Sequence, residues 1–282
     1  MQYMHYRASC AYAALAELME AQGIFTDDRQ IALAMKLPWL FAKEDGAYRS
    51  GPMLQGAAWF DLWLAPRGWR MEETALDGEG LCPYLQAHPS TMLGLRTPYG
   101  KHAVVFREYD GASYRFFNPT HEGSGEAAEL VLSEAELLAS VDRTVLTGRI
   151  RSAAPEARSF APLLKRSVEV LRQNCAEIEA FAAARQSPEA CLAAMDRLFR
   201  ALFLDGITML ELADERGLAD GFAALQRDLM TFLRGPRTQP MRETVSMEAL
   251  RSLTEQYIRS IEKQMEKENR TRSDIYDSFI IR

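Results

Sequence analysis

Residues 102–118 read His102-Ala-Val-Val-Phe-Arg-Glu-Tyr-Asp-Gly-Ala-Ser-Tyr-Arg-Phe-Phe-Asn118. Two β-prone runs, 103–106 and 113–117, flank Tyr109-Asp110-Gly111, a pattern that predicts an antiparallel hairpin. A three-residue loop with Gly111 left-handed pairs Glu108 with Ala112 and sets His102 opposite Asn118. Opposed Cβ atoms are only about 4.5–5.5 Å apart. A two-residue Asp110-Gly111 turn would shift the register by one and weaken that pairing. Asn118 precedes Pro119, which favours extended backbone; the same dipeptide is equally the turn that ends a strand.

Working outward, Thr91-Met-Leu-Gly-Leu95 and 144–150 add strands to the hairpin, and Ser133 with Glu136 forms a capping box for a short helix. Upstream the periodicity is helical. Ala11, Leu15, Leu18 and Met19 share one face and Gly23 stops the run. Thr26-Asp27-Asp28 caps a second helix through Ile31, Ala34 and Met35. Gly51-Pro52 opens a third carrying Leu54, Ala57, Ala58 and Leu62. Helices first and an antiparallel sheet after them define an α+β domain.

Ser152-Ala-Ala-Pro155-Glu-Ala reads as a linker, and beyond it strand signals nearly vanish. Helical spacing runs through Leu164, Val168, Leu171, Ile178 and Phe181. It resumes after Ser187-Pro188, again from Phe222 to Phe232 with a stop at Gly235-Pro236, and finally from Ser246 through Met265. The expected division is an α+β domain over 1–152 and an all-α helical bundle over 153–282. Arg272 to Arg282 reads as a tail or docking segment.

The 282 residues carry a formal charge of −6, which disfavours nucleic acid as the main partner. The four cysteines, Cys10, Cys82, Cys175 and Cys191, form no CxxC or Cys/His zinc spacing, and their sparseness points to a reducing compartment. No metal cluster, phosphate loop, signal peptide or membrane-spanning run is read, so no cofactor is expected and a cytoplasmic location is.

Ser9 is a good N-cap residue, which puts Cys10 in the first turn of a helix. Unpaired N–H groups and the helix dipole there favour a thiolate. Read alone, Cys10 fits a small buried hydrophobe better. Its standing as a nucleophile comes from companions. Among His5, His88, His102 and His121, only His102 opens a strand; the others read as surface. With Asn118 to orient the ring, Cys10, His102 and Asn118 form one of the recurrent catalytic triads.

The stretches Arg7-Ala-Ser-Cys10-Ala-Tyr-Ala-Ala-Leu15, Gly100-Lys-His102-Ala-Val-Val-Phe106 and Phe117-Asn118-Pro119 resemble the C39-like branch of papain-fold cysteine peptidases. Residues 1–150 are also similar to the N-terminal domain of the butirosin-biosynthesis H family. The resemblance implies a papain-like fold for the first half. It also implies a hydrolase or acyltransferase acting on an amide or thioester, with a peptide or acyl-thioester substrate, through Cys10, His102 and Asn118. These peptidases usually place a Gln a few residues before the cysteine to complete the oxyanion hole. Here the nearest is Gln2, and Met4 and Tyr6 stand closer.

Trp39, Phe41, Tyr48, Trp59, Phe60, Trp63 and Trp69 read as core of the helical layer. The polar run Lys43-Glu-Asp-Gly-Ala-Tyr-Arg-Ser50 reads as an exposed connection or a lid. The helical half is expected to position the substrate or to make a homodimer. The alternative from another class is a non-catalytic peptide or small-metabolite binder on the same scaffold.

Overall fold

A computed structural model describes residues 3–98, 100–235 and 239–280, with side chains to 270. In chain order the elements begin with helices α1 (Cys10–Glu20) and α2 (Asp28–Ala34), strands β1 (Phe41–Glu44) and β2 (Ala47–Ser50), and helix α3 (Ala57–Leu64). Next come β3 (Trp69–Asp77), α4 (Gly78–Ala87), β4 (Thr91–Thr97), β5 (Gly100–Tyr109), β6 (Ser113–Phe117), β7 (Glu129–Ser133), α5 (Glu134–Ala139) and β8 (Thr144–Ser152). The rest is helical: α6 (Ala161–Ala183), α7 (Pro188–Ala194), α8 (Ile207–Leu212), α9 (Arg216–Arg234) and α10 (Met247–Ile280). The architecture is α+β, an antiparallel sheet followed by a helical region.

The chain divides into two compact units. The first is Met1–Met35 with Gln55–Arg158, and the second is Lys36–Leu54 with Ser159–Arg282. The sequence places 36–54 in the first domain, whereas it packs with the second. Phe41 N donates to Ser167 Oγ at 2.8 Å and Tyr257 Oη donates to the Pro38 carbonyl at 2.6 Å. The second unit is therefore helical with one hairpin, not all-α. The presumptive linker is pinned to the first unit: Ala153 N donates to Gly68 O at 2.8 Å and Glu156 N to Ala65 O at 2.9 Å.

In the first unit six strands form one antiparallel sheet in the order β3-β8-β4-β5-β6-β7. One face builds a core from Leu93, Leu95, Val104 and Phe106 against Leu81 and Leu85 of α4 and Leu137 of α5. Alternate residues point to the other face, where α1 packs on β5. Helix α1 is buried nearly all round (Ala13, Leu15, Leu18 and Met19 are fully covered), as a central helix must be. Each large apolar side chain so buried contributes about 1.5–3 kcal/mol.

The hairpin differs from the predicted register. Asp110 N donates to Ser113 O at 3.2 Å, leaving Gly111 and Ala112 as the loop, and Tyr109 pairs with Tyr114. Asp110 Oδ1 accepts from Ala112 N and Ser113 N, which fixes this turn. Pairing then shifts by one at Arg107, a β-bulge, so that Phe106 faces Phe116 and Val105 faces Phe117. Continued at that rate, His102 stands opposite Thr120, not Asn118.

Three further segments differ from the sequence reading. The 43–50 run is the β1–β2 hairpin, turned by Asp45 and Gly46 at φ 49 and 75. Its Tyr48 is fully buried and Lys43 Nζ donates to Glu177 Oε1 at 2.7 Å, so it is a structural hairpin of the second unit. The helix expected from Gly51 breaks at Gln55–Gly56, because Gly56 has φ 96, and α3 starts only at Ala57. Strands β3 and β7 are the polar edges of the sheet, where alternation of apolar residues is weak.

In the second unit the chain is π-helical over Met195–Phe199 and Ala201–Gly206. Such wide turns leave carbonyls unmatched. Side chains supply the missing donors: Asn174 Nδ2 to Leu198 O at 2.9 Å, Ser50 Oγ to Ala201 O at 2.8 Å, and Gln226 Nε2 to Phe203 O. Gly206 is required there, since a Cβ would sit 2.7 Å from Ala201 O.

Candidate active site

Cys10 is the first residue of α1. Ala8, at φ 59, turns the chain, and the Ser9 carbonyl accepts from Tyr12 N and Ala13 N, both at 2.9 Å. The alanine-rich run that follows has the strongest helix propensity. Ser9 does not cap the helix with its side chain, as the sequence suggests. Its Oγ donates back to Tyr6 O at 2.9 Å. First-turn N–H groups therefore stay open for other acceptors, and that of Ala11 hydrogen-bonds to the Cys10 sulfur. The Ala103 N–H of β5 and the His102 ring complete the thiol's surroundings.

Burial is the largest influence on Cys10 and opposes its ionisation. The hydrogen bonds from His102, Ala103 and Ala11 together outweigh it, so the thiol is held below its ordinary value. His102 shows the counterpart. Burial disfavours its imidazolium most strongly, yet the bonds to Cys10 and Asn118 raise it above the ordinary histidine value. The opposite shifts on the two partners each move the pair toward its thiolate–imidazolium form.

His102 Nε2 lies 2.8 Å from Asn118 Oδ1. Asn118 Nδ2 donates to Ala127 O at 2.7 Å, which turns the carboxamide oxygen toward the ring. That oxygen only accepts, so Nε2 carries a proton and Nδ1 is the nitrogen left for the thiol. The backbone of Asn118 is fixed as well, by Asn118 N to Ala128 O at 2.9 Å. The three residues singled out by the sequence are thus brought together within the first unit.

Cys10 is half-buried and borders a cavity of about 340 Å³. Cys10 and Ala11 of α1 line it together with Gln55 and Gly56, just before α3, and Phe60 of α3. The sheet supplies the floor, including Gly94, Ala103 and Leu146. The three charged groups on the wall, Lys101, Asp142 and Glu73, are committed to protein partners. Lys101 Nζ is 2.6 Å from Asp142 Oδ2, and Glu73 Oε1 accepts from Ala57 N at 2.9 Å. Gln55 and Gly94 did not stand out in the sequence. The signals available were a glycine with no turn around it and a glutamine beside a helix-breaking Gly.

The other histidines serve structure. His5 Nδ1 is 2.6 Å from Asp28 Oδ1, His88 Nδ1 is 2.9 Å from Tyr84 O, and His121 Nδ1 is 2.9 Å from Met4 O. His5 and His121 are therefore anchored rather than freely solvated. His5, Asp27 and Asp28 bring ligand-type atoms within 4.8 Å of one another. Those atoms are engaged: Asp28 also accepts from His5 N and Arg29 N, and Asp27 caps α2 through Gln30 N. Cys82, Cys175 and Cys191 are buried and unbridged. Gln2 lies outside the described residues. Among those described, no helix is long and apolar enough to cross a membrane.

No family model and no curated protein sequence matches the chain. Similar solved structures include a double glycine motif protease from an AMS/PCAT transporter, crystallised with its leader peptide. It is 11% identical, with TM-score 0.38, over 54% of this chain and 91% of that one. A periplasmic domain of the EpsAB fusion protein of the Vibrio vulnificus type II secretion system is 16% identical. Its TM-score is 0.30, over 88% of this chain and 85% of that one. Both TM-scores are too low to establish a shared fold.

Proposed function

We propose that the first unit is a papain-like cysteine enzyme, a hydrolase or acyltransferase that works through an acyl-enzyme on Cys10. The observation that carries this reading is the His102 Nε2–Asn118 Oδ1 contact at 2.8 Å, with Cys10, whose thiol is lowered by a hydrogen bond to the same ring, on the wall of the cavity. A cysteine kept only for packing needs neither the imidazole nor the carboxamide behind it.

In this mechanism the Cys10 thiolate attacks the carbonyl carbon of an amide or thioester, and a C–S bond forms. The His102 imidazolium gives its proton to the departing amine or thiol as the old bond breaks. Water or an acceptor amine then attacks the thioester. His102 takes that nucleophile's proton, and Cys10 leaves as the thiolate. Asn118 keeps the ring turned so that Nδ1 faces both sulfur and leaving group. The Cys10 N–H, at the first position of the helix, is one oxyanion donor. Gln55, which lines the same cavity, is the side-chain donor that takes the place of a glutamine close before the cysteine.

The substrate class is a peptide or an acyl thioester, and the protein works in the cytoplasm. The helical unit positions the substrate or makes a homodimer. The test is turnover of a p-nitrophenyl ester near neutral pH by the full chain. Cys10→Ala is expected to abolish it and His102→Ala to lower it by about 100-fold or more. Equal turnover by Cys10→Ala contradicts the proposal and leaves the binding-protein alternative.

A further inference from the structure

Gly94 sits in the middle of β4, between Leu93 and Leu95 of the core. A glycine inside a strand weakens it, and where one stands there is commonly a bulge, a bend or something that approaches the backbone closely. Conformation does not demand it here, because Gly94 is not among the positive-φ residues. Packing does not demand it either. A Cβ at 94 would meet only the Lys101 stem, at 3.8 and 4.0 Å, both ordinary contacts. Gly148, also on the cavity wall, is different: a Cβ there would lie 2.9 Å from Met71 Sδ.

What Gly94 does border is the cavity shared with Cys10. Its cross-strand partner is Ala103, whose N–H bonds the Cys10 sulfur. The missing side chain therefore leaves space one strand away from the reacting atom. Leu146, which lines the same cavity, is a large apolar side chain left 54% exposed. Met92 lines the same cavity. An exposed leucine beside a reactive thiol calls for an apolar occupant. The charged groups on the wall are already engaged, Lys101 with Asp142 and Glu73 with the Ala57 N–H.

We propose that Gly94 is a specificity-determining residue: it is the open floor of an acyl slot, over which the apolar chain of the group carried on Cys10 lies extended toward Leu146. The size of residue 94 then sets the longest acyl chain accepted. This inference rests on the acyl-enzyme reading above.

The test uses the full chain and a series of S-acyl-N-acetylcysteamine thioesters from acetyl to octanoyl, with kcat/KM measured for each. The wild-type protein is expected to favour octanoyl over acetyl. Gly94→Leu is expected to lower the octanoyl-to-acetyl ratio by roughly 10–100-fold. Gly94→Ala, whose added methyl meets only the Lys101 stem, is expected to lower it by about 3-fold to 10-fold and keeps the test open if the leucine variant does not fold. An unchanged ratio in Gly94→Ala and Gly94→Leu, a uniform loss at every chain length, or a wild-type preference for acetyl would overturn the slot. Failure of wild-type protein to turn over any thioester overturns the acyl-enzyme reading itself, and is seen before any variant is made.

Discussion

His102 Nε2 and Asn118 Oδ1 meet at 2.8 Å although the two residues are not opposite each other in the sheet. Extended beyond its last pair, Val105 with Phe117, the ladder would bring His102 level with Thr120 and make Asn118 a diagonal neighbour on the same face. Diagonal pairs on one face remain within reach of long side chains. The bulge at Arg107 is what permits this. Carried through without it, the register of the turn would put the two side chains on opposite faces. Arg107, pushed out of the ladder, donates through Nε to Glu17 Oε1 on α1 at 3.1 Å, and so ties the strand of His102 to the helix of Cys10.

Asn118→Ala removes the group that holds the ring. Misplacing a catalytic group by about 1 Å can cost on the order of 100-fold, and a loss of that order in ester turnover is expected. Asn118→Asp keeps an oxygen acceptor and adds a charge beside the imidazolium. It is expected to retain turnover and to shift the alkaline limb of its pH profile upward. A turnover of Asn118→Ala equal to wild type would show that the carboxamide does not orient the ring.

The pH dependence follows from the two shifts. Cys10 is lowered, so its thiolate persists to more acidic pH than an ordinary thiol allows. His102 is raised, so its imidazolium persists to more alkaline pH than an ordinary histidine allows. Both shifts move the pair toward the thiolate–imidazolium form. Iodoacetamide should therefore alkylate Cys10 at lower pH than it does free cysteine. With His102→Gln the alkylation profile should move to higher pH, because the burial of the thiol is no longer offset. A profile that His102→Gln does not move would disconnect the two groups.

Asp28 is fully buried and accepts from His5 N, His5 Nδ1 and Arg29 N. It anchors the segment that leads into Cys10. Asp28→Ala leaves those donors without their acceptor and is expected to cost about 1–3 kcal/mol, read as a lowered urea midpoint. Slower alkylation of Cys10 should accompany it. A stability within about 0.5 kcal/mol of wild type would deny the anchor, since changes of that size are ordinary for surface positions.

Asp205, in the π-helical run, is raised by burial to about 6, despite Arg200 Nε at 2.9 Å. Between its ordinary value of 3.8 and about 6, the folded state binds more protons than the unfolded state. This group's stabilisation is therefore fully present below that window and is lost as pH rises through it, by on the order of 3 kcal/mol. Thermal unfolding measured from pH 4 to 7 should show that fall, and Asp205→Asn should flatten it. An identical slope in the variant would assign the pH dependence elsewhere.

The residues differ in how far the sequence exposes their roles. Helix α1, the central hairpin and the capping box at Ser133 are legible because their signals are local: apolar spacing, a turn dipeptide, a capping pair. The same-face relation of His102 and Asn118 is legible too, since the predicted and observed registers differ by two residues and side chains repeat every two. The bulge is not, because nothing local marks Arg107 as extruded; its partner, Glu17, is remote in sequence. Edge strands β3 and β7 lack a buried face strong enough to show alternation. The assignment of 36–54 to the second unit depends on Ser167, Asp196 and Tyr257, far along the chain. Gly94 acquires meaning only once the cavity is known.

The most direct measurement is mass spectrometry of the full chain quenched in acid shortly after mixing with an excess of an acyl thioester, followed by peptide mapping. The expected result is one acyl group per chain, located on Cys10, absent from Cys10→Ala and reduced in His102→Ala. Acyl groups spread over lysines or the other cysteines, or equal acylation of Cys10→Ala, would contradict the assignment of Cys10 as the nucleophile.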